Sequence, residues 1–392
     1  MIDVHIVGAV RTPIGKFGGS LANLTAADLG VSVVTESIRR AGIAPEDVGE
    51  LIFGNARQAG GGPNPARQIS VRSGIPETVP AYTVNQACGS GLKSVVLAAQ
   101  ELMLGRSKVV VAGGAESMSR VPYFVEGARW GARLGNKKLV DGMYQDGFLC
   151  PLANQIMGET AETLAVEYGI ARDEQDAYAA ESQRRAGAAE AAGRFDAERI
   201  TLTLEGRKGE QVAFTTDEHV RTDADIEAMR KLAPVFSKDG TVTAGNASGI
   251  TDGASAMVIM TGDALAASGA ASLGRIVDYE ISGVDPRRMG IGPVPAVRAL
   301  LARRGLAMAD IDVVELNEAF AAQVLACDRD LGFDRERLNP NGGSIALGHP
   351  IGCTGARILT TLVHELARRN GRYGLATLCV SGGMGLALLV ER

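Results

Sequence analysis

A chain of 392 residues, 46% hydrophobic and 22% charged, has the length of two or three domains and ample material for a core. Its formal net charge of -5 and pI near 5.6 leave no basic footprint for nucleic acid. Five scattered cysteines without a CxxC pair argue for free thiols in a reducing compartment, and against a disulfide framework or a zinc site.

In chain order, Met1-Ile2-Asp3-Val4-His5-Ile6-Val7 reads as a strand, and its acid at position 3 does not fit the basic start of a secretion signal. A helix, apolar nearly all round, is predicted over Gly91 to Leu104, which places it inside a layered domain. Val109 to Ala112 follows as a buried strand running into Gly113-Gly114. From about Met118 to Gly249 the character changes. Arg120 to Gln155 is rich in glycine, aromatic and charged residues with weak periodicity. Ala171 to Arg194 is polar and helical, with acids in its first turn and Gly193 as its stop. This stretch is expected to be an insertion, and Pro234 to Gly249 returns the chain to the core. A second helix, predicted over Gly355 to Arg369, ends in two arginines with Gly371 suited to the cap. The strand Leu375 to Val380 then leads into Ser381-Gly382-Gly383. Helix, buried strand and glycine pair thus occur once in each half, an internal repeat that implies two similar α/β halves. The longest apolar runs, such as Gly385 to Val390, fall far short of the roughly 20 residues that span a bilayer. A cytoplasmic protein without a membrane partner is expected.

Three reactive residues lie among glycines: Cys88 in Asn85-Gln86-Ala87-Cys88-Gly89-Ser90-Gly91, His349 in Gly342-Gly343-Ser344-Ile345-Ala346-Leu347-Gly348-His349-Pro350, and Cys379 in Leu378-Cys379-Val380-Ser381-Gly382-Gly383. Glycines let the backbone bend sharply and let a substrate approach its N-H groups, so such settings read as catalytic before they read as packing. Cys88 precedes a helix whose unpaired N-H groups favour thiolate. A buried cysteine packed under that helix is the plainer reading. For Cys379, at the end of an apolar strand, an ordinary core role is the default. Pro350 restricts the backbone before it and fixes where the His349 ring points, making it the best base. His5, His219 and His364 sit in a strand, a charged loop and a helix, and are expected to be structural or surface residues. Cys150, Cys327 and Cys353 are read as packing.

Together with Asn317-Glu318-Ala319-Phe320 and Gly245-Asn246-Ala247-Ser248-Gly249, these segments resemble the thiolase family from end to end. The resemblance implies a five-layer α-β-α-β-α fold. Its expected divisions are an N-terminal half (1–118 and 250–270), an inserted loop domain (119–249) that covers the site and contributes to assembly, and a C-terminal half (271–392). It further implies reversible Claisen condensation of two acetyl-CoA to acetoacetyl-CoA and CoA, with no cofactor or metal, in a homotetramer built as a dimer of dimers. By resemblance Cys88 is the acylated nucleophile, His349 its base, and Cys379 the acid/base at C2. Asn317 holds a water of one oxyanion hole, and the amides of Cys88 and Ser381 form the other. Ala244 and Ser248 line the pantetheine and Arg221 lies near the nucleotide phosphate. Many relatives carry glycine at the place of Ser381, and several short-chain relatives carry histidine where this chain has Ile156. Three other readings were weighed: a broad-range degradative 3-ketoacyl-CoA thiolase of fatty acid metabolism, a carrier-dependent ketoacyl synthase, which would leave Cys379 without a role, and a non-catalytic acyl-CoA or lipid-binding relative.

Overall fold

The computed structural model describes residues 2–206 and 209–392. Its main strands are β1 (Val4–Arg11), β2 (Glu50–Gly54), β3 (Ala81–Val84), β4 (Val109–Ser117), β5 (Thr251–Thr261), β6 (Gly274–Gly283), β7 (Val313–Leu316), β8 (Tyr373–Val380) and β9 (Met384–Glu391). They pair in the order β7-β8-β9-β6-β1-β5-β4-β2-β3, with Gly15–Lys16 added beside β5. The two halves of this order repeat one another. β1, β5, β4 and β2 are joined by two antiparallel ladders and then a parallel one, and so are β6, β9, β8 and β7. The halves meet where His5 and Ile6 pair with Arg275 and Gly274.

The helices that matter for the site are α1 (Ala26–Ala41), α2 (Ser90–Met103), α3 (Met157–Glu167), α4 (Arg172–Ala191), α5 (Pro293–Arg304), α6 (Ala321–Leu331) and α7 (Ile351–Arg369). Because side chains alternate along a strand, each half-sheet presents two apolar faces. Val110 and Ala112 of β4, with Ala376, Leu378 and Val380 of β8, pack on α2 and α7 in a central core. Val109 and Val111 face α1 instead, while Leu375 and Leu389 face α5 and α6. The result is helix, sheet, helix pair, sheet, helix, five layers with both central helices buried. Glycines set the spacing of that pair: a Cβ on Gly91 would meet the Ala356 amide nitrogen at 2.8 Å.

Two boundaries differ from the sequence reading. α7 begins at Ile351, directly after Pro350, so Cys353 and Thr354 lie inside its first turns. Its left-handed cap is Asn370 (φ 53), and Gly371 only follows it. Asparagine tolerates that conformation and competes with glycine for the position.

The segment from Met118 to Gly249 is tied to the first half by a buried ion cluster. Arg11 donates from Nε to Glu198 (2.5 Å) and from its Nη atoms to Asp217 (2.8 and 3.0 Å), and it stacks on Phe195. Removing the cation leaves two buried carboxylates with Arg199 (3.2 Å) and Ile14 N-H (2.8 Å) on Asp217 and the Thr361 hydroxyl (3.1 Å) on Glu198. Arg11→Met is therefore expected to lose about 3 kcal/mol of stability, read as a lowered midpoint in urea unfolding. An unchanged midpoint would show that the cluster contributes nothing.

Candidate active site

Cys88 sits at the tip of a tight turn just before α2. Gly89 N-H donates to Gln86 O (2.9 Å), and Ser90 Oγ accepts from Gln86 N-H (2.9 Å) while donating to Ala87 O (2.6 Å). Ala87 is held at φ 45, a conformation that costs a non-glycine residue about 1 kcal/mol or more and that persists only because its surroundings over-determine it. The backbone N-H groups of Cys88 and Ser381 lie near enough to its sulfur to favour the thiolate.

Ser381, Gly382 and Gly383 form the three-residue loop of the β8–β9 hairpin, closed by the Val380–Met384 pair. Both glycines have left-handed φ (88 and 84), which a side chain would resist; Ser381 does not, so its hydroxymethyl group brings no backbone strain. Cys379, two residues earlier, is 1% exposed and packs with Met289, Ala161 and Phe320.

His349 lies at the N-terminal end of the second central helix, as Cys88 does at the first. Its N-H donates to Gly249 O (3.0 Å), and its Nδ1 is 2.6 Å from Thr354 Oγ1. Thr354 Oγ1 in turn donates to Pro350 O (3.0 Å). A carbonyl only accepts, so this network assigns the ring proton to Nδ1 and leaves Nε2 a bare acceptor. Asn317 follows β7 and is fully buried. Its Oδ1 accepts from Ser344 Oγ (2.6 Å), while its Nδ2 has no protein acceptor.

Cys88, His349, Cys379 and Ser381 line one cavity of about 380 Å³, within the usual range of small-molecule sites. Ala244, Ser248 and Arg221 line it as well; Arg221 and Ala244 are exposed. Asn317 lies behind the wall, not in it. Cys150, Cys327 and Cys353 are buried elsewhere, and Cys327 donates to Gly290 O (3.2 Å). Ile156, Met157, Phe148, Val235, Phe236, Met289 and Phe320 supply an apolar surround.

The electrostatics revise one expectation. Burial pushes the Cys88 thiol up, and this outweighs the lowering by Arg57 and by the two N-H groups. Burial, then the charges of Arg357 and Arg57, lower His349 to about 3. The resting pair is thus thiol and neutral imidazole, where the helix terminus alone had suggested a thiolate. Burial raises Cys379 well above the ordinary thiol value, with a further push from Cys88.

His219, expected to be a structural or surface residue, is half-buried in the cavity wall, its Nδ1 3.0 Å from Ala346 O. Glu116 accepts from Asn55 Nδ2, Ala56 N-H, Arg57 N-H and Gly352 N-H (2.7 to 3.1 Å), joining the end of β2 to the start of α7. Glu318 accepts from Tyr178 and Ser182 of α4, from Asn339 and from Ile345 N-H (2.7 to 3.1 Å), which fixes the turn carrying Asn317. Thr354 had a sequence signal, a hydroxyl one turn past His-Pro, obscured by starting the helix at Gly355. Arg57 and Glu116 had none, since Glu116 meets its partners 59 to 236 residues away; Glu318 stands in the Asn317-Glu318-Ala319-Phe320 segment, but its partners, 21 to 140 residues away, could not be read from it.

No helix among the described residues is long and apolar enough to cross a membrane, and no group of three His, Cys, Asp or Glu among them could hold a metal ion. Residues 4–263 match the model of the thiolase N-terminal domain and residues 270–392 that of the thiolase C-terminal domain. The chain is 52% identical to an acetyl-CoA acetyltransferase of Escherichia coli K12, with all of both chains covered. It superposes on the acetyl-CoA acetyltransferase of Bacillus anthracis with a TM-score of 0.97 at 45% identity, covering 100% of this chain and 99% of that one. It does so on human mitochondrial 3-ketoacyl-CoA thiolase in complex with CoA with a TM-score of 0.96 at 43% identity, covering 100% and 98%. With both halves, the five layers and the full length of these relatives accounted for, the chain belongs to the thiolase family.

Proposed function

We propose that the protein is an acetyl-CoA C-acetyltransferase, condensing two acetyl-CoA to acetoacetyl-CoA and CoA and running the same steps backwards. The observation that carries this reading is the meeting of Cys88, His349 and Cys379 in one cavity that Ser381 also lines, with the N-H groups of Cys88 and Ser381 near the sulfur.

Cys88 gives its proton to His349 Nε2 and attacks C1 of acetyl-CoA. The oxyanion lies between the Cys88 and Ser381 amides, donors whose removal one at a time typically costs about 3 kcal/mol. The C-S bond to CoA breaks and the departing thiolate takes the Cys379 proton. His349 is now imidazolium and Cys379 thiolate, a charge pair created inside a dry pocket. Cys379 removes a C2 proton from a second acetyl-CoA. The enolate oxygen is held by His349 Nε2-H and by a water on Asn317 Nδ2, the buried donor without a protein partner. C2 attacks the acetyl-Cys88 thioester, acetoacetyl-CoA leaves, and the Cys88 thiolate recovers its proton from His349. Thr354 holds the ring through both protonation states, since its oxygen accepts from Nδ1-H in each.

Ala244, Ser248 and exposed Arg221 fit the pantetheine arm and phosphate of CoA. The segment 119–249 is proposed as the covering and assembly unit. It exposes Trp130 (82%) and Leu134 (101%), apolar surface of the kind that partners bury, in keeping with a homotetramer in the cytoplasm. No cofactor takes part in these steps.

Substrate length decides between this reading and the broad-range degradative one. Ile156 adds apolar wall, and each buried methylene is worth up to about 0.8 kcal/mol, roughly fourfold. Ser381 narrows the thioester end, and Met157 and Met289 close part of the wall. Thiolysis of unbranched, uncharged 3-ketoacyl-CoAs should give high kcat/KM on acetoacetyl-CoA, tolerance to six carbons, and poor rates beyond. A steady rise through eight or more carbons would recast the protein as a degradative thiolase.

A further inference from the structure

Within the cavity wall stands one cation that the steps above do not use. Arg57 follows the end of β2, and its backbone N-H is spent on Glu116 (3.0 Å). Among the described residues its guanidinium makes no hydrogen bond or ion pair, and Nε is buried without a partner. The side chain is held by close packing on Gly147, where an added Cβ would come within 2.7 Å of Nε. Glu116, a carboxylate that feels the Arg57 charge, has both oxygens engaged by Asn55, Ala56, Gly352 and the Arg57 backbone, and none by the guanidinium. No aspartate or glutamate lines the cavity.

The position of this cation is chemically specific. Its charge acts on both Cys88 and His349, so it lies near the reacting atoms. Around it the wall is apolar: Phe148 and Ile351 pack in the same cluster as Cys88, and Tyr144 and Gly147 complete the surface. A partly dehydrated guanidinium with no anion in hydrogen-bond contact is costly and selects planar anionic oxygens when they arrive. Two anions could reach the cavity, a CoA phosphate or a carboxylate on the acyl chain. The pantetheine arm separates the phosphates from the thioester, and exposed Arg221 is free for them at another part of the wall. During thiolysis the acyl chain remains on Cys88, beside Arg57.

We propose that Arg57 forms a subsite for an anionic acyl terminus, so that the protein also cleaves 3-ketoacyl-CoAs carrying a terminal carboxylate. This inference rests on the thiolase chemistry proposed above. The added reaction follows the same course: Cys88 attacks C3, the C2-C3 bond breaks, and acetyl-CoA leaves after C2 takes the Cys379 proton. Incoming CoA then cleaves the carboxyacyl-Cys88 thioester, its thiol proton returning to Cys379. The products are acetyl-CoA and a carboxyacyl-CoA two carbons shorter.

The test compares thiolysis of 3-oxoadipyl-CoA, uncharged 3-oxohexanoyl-CoA and acetoacetyl-CoA by the wild type, Arg57→Leu and Arg57→Lys. The wild type should favour the acid over its uncharged six-carbon analogue. Arg57→Leu should lower kcat/KM on the acid by about 10- to 100-fold relative to that analogue, and Arg57→Lys should restore part of the preference. The N-acetylcysteamine thioester of the acid, which lacks phosphates, should show the same dependence on Arg57. Failure of the wild type to cleave the acid, or an equal loss on all three CoA substrates in Arg57→Leu, would overturn the subsite. An Arg57 effect on CoA thioesters that vanishes with N-acetylcysteamine thioesters would assign the cation to a phosphate and also overturn it. Absence of turnover even on acetoacetyl-CoA would instead strike the thiolase reading itself.

Discussion

Cys88→Ala is expected to lower acetoacetyl-CoA thiolysis by about four orders of magnitude or more, because a covalent route loses its only attachment point. Acetyl-CoA alone should add one acetyl mass to the wild type and none to the variant. Locating the label on Cys379 or Cys353 by peptide mass spectrometry would refute the assignment. The state of the thiol gives a second readout. Burial raises Cys88 above its ordinary value and brings His349 to about 3, so over the neutral range the pair is uncharged. Alkylation of Cys88 by iodoacetamide should therefore climb as pH rises past 9, with no inflection near 6.5. A thiolate-imidazolium pair would give a plateau beginning near pH 5. On the proposed mechanism turnover does not suffer from the neutral resting state, since proton transfer to bare Nε2 accompanies attack on the thioester. The same His349 shift carries a stability sign. The folded ring stays neutral while the unfolded ring binds a proton below about 6.5, so folding weakens as pH falls from 6.5 toward 3.

That Cys88, His349 and Cys379 meet in one cavity was legible because each needed a local backbone that only certain neighbours permit. Gly382 and Gly383 are required by a three-residue hairpin loop with positive φ, and that loop presents the Ser381 amide; the motif and the geometry are one fact. The two-halved, layered fold was legible for a related reason. Helix, buried strand and glycine pair recur as one supersecondary unit, and such units must stack to bury both faces of their sheets. What stayed hidden was set by contacts distant in sequence. Glu116 gathers β2 and α7 across 236 residues, and no spacing rule reveals this. The ionisation of Cys88 was misjudged because a helix terminus can be read from sequence while the depth of the pocket around the sulfur cannot. His219 read as a structural or surface residue in a charged loop, but its place in the cavity wall was hidden, because Asp217 two residues before it is bound by Arg11 and carries the loop there.

Cys379→Ala should separate the two half-reactions. The thiol is buried in a wall of small and flexible side chains, so losing one sulfur atom should destabilise the fold by only about 1 kcal/mol. Acetylation of Cys88 should persist, slowed but complete, because a CoA thiolate with a pKa near that of an ordinary thiol departs without an acid. Condensation has no such escape. A C2 proton beside a thioester is far less acidic than any thiol, and its removal needs a base already in place over the enolate site. Burial serves that need. It raises Cys379 well above the ordinary thiol value, which makes its thiolate, once formed by protonating CoA, a strong base facing the substrate. The variant should therefore lose about three to four orders of magnitude in acetoacetyl-CoA formation, and with it the exchange of the acetyl-CoA methyl protons in deuterated water. Exchange at a rate close to wild type, with acetyl-Cys88 still forming, would show that another group moves the C2 proton, and His349 would then be the residue to test.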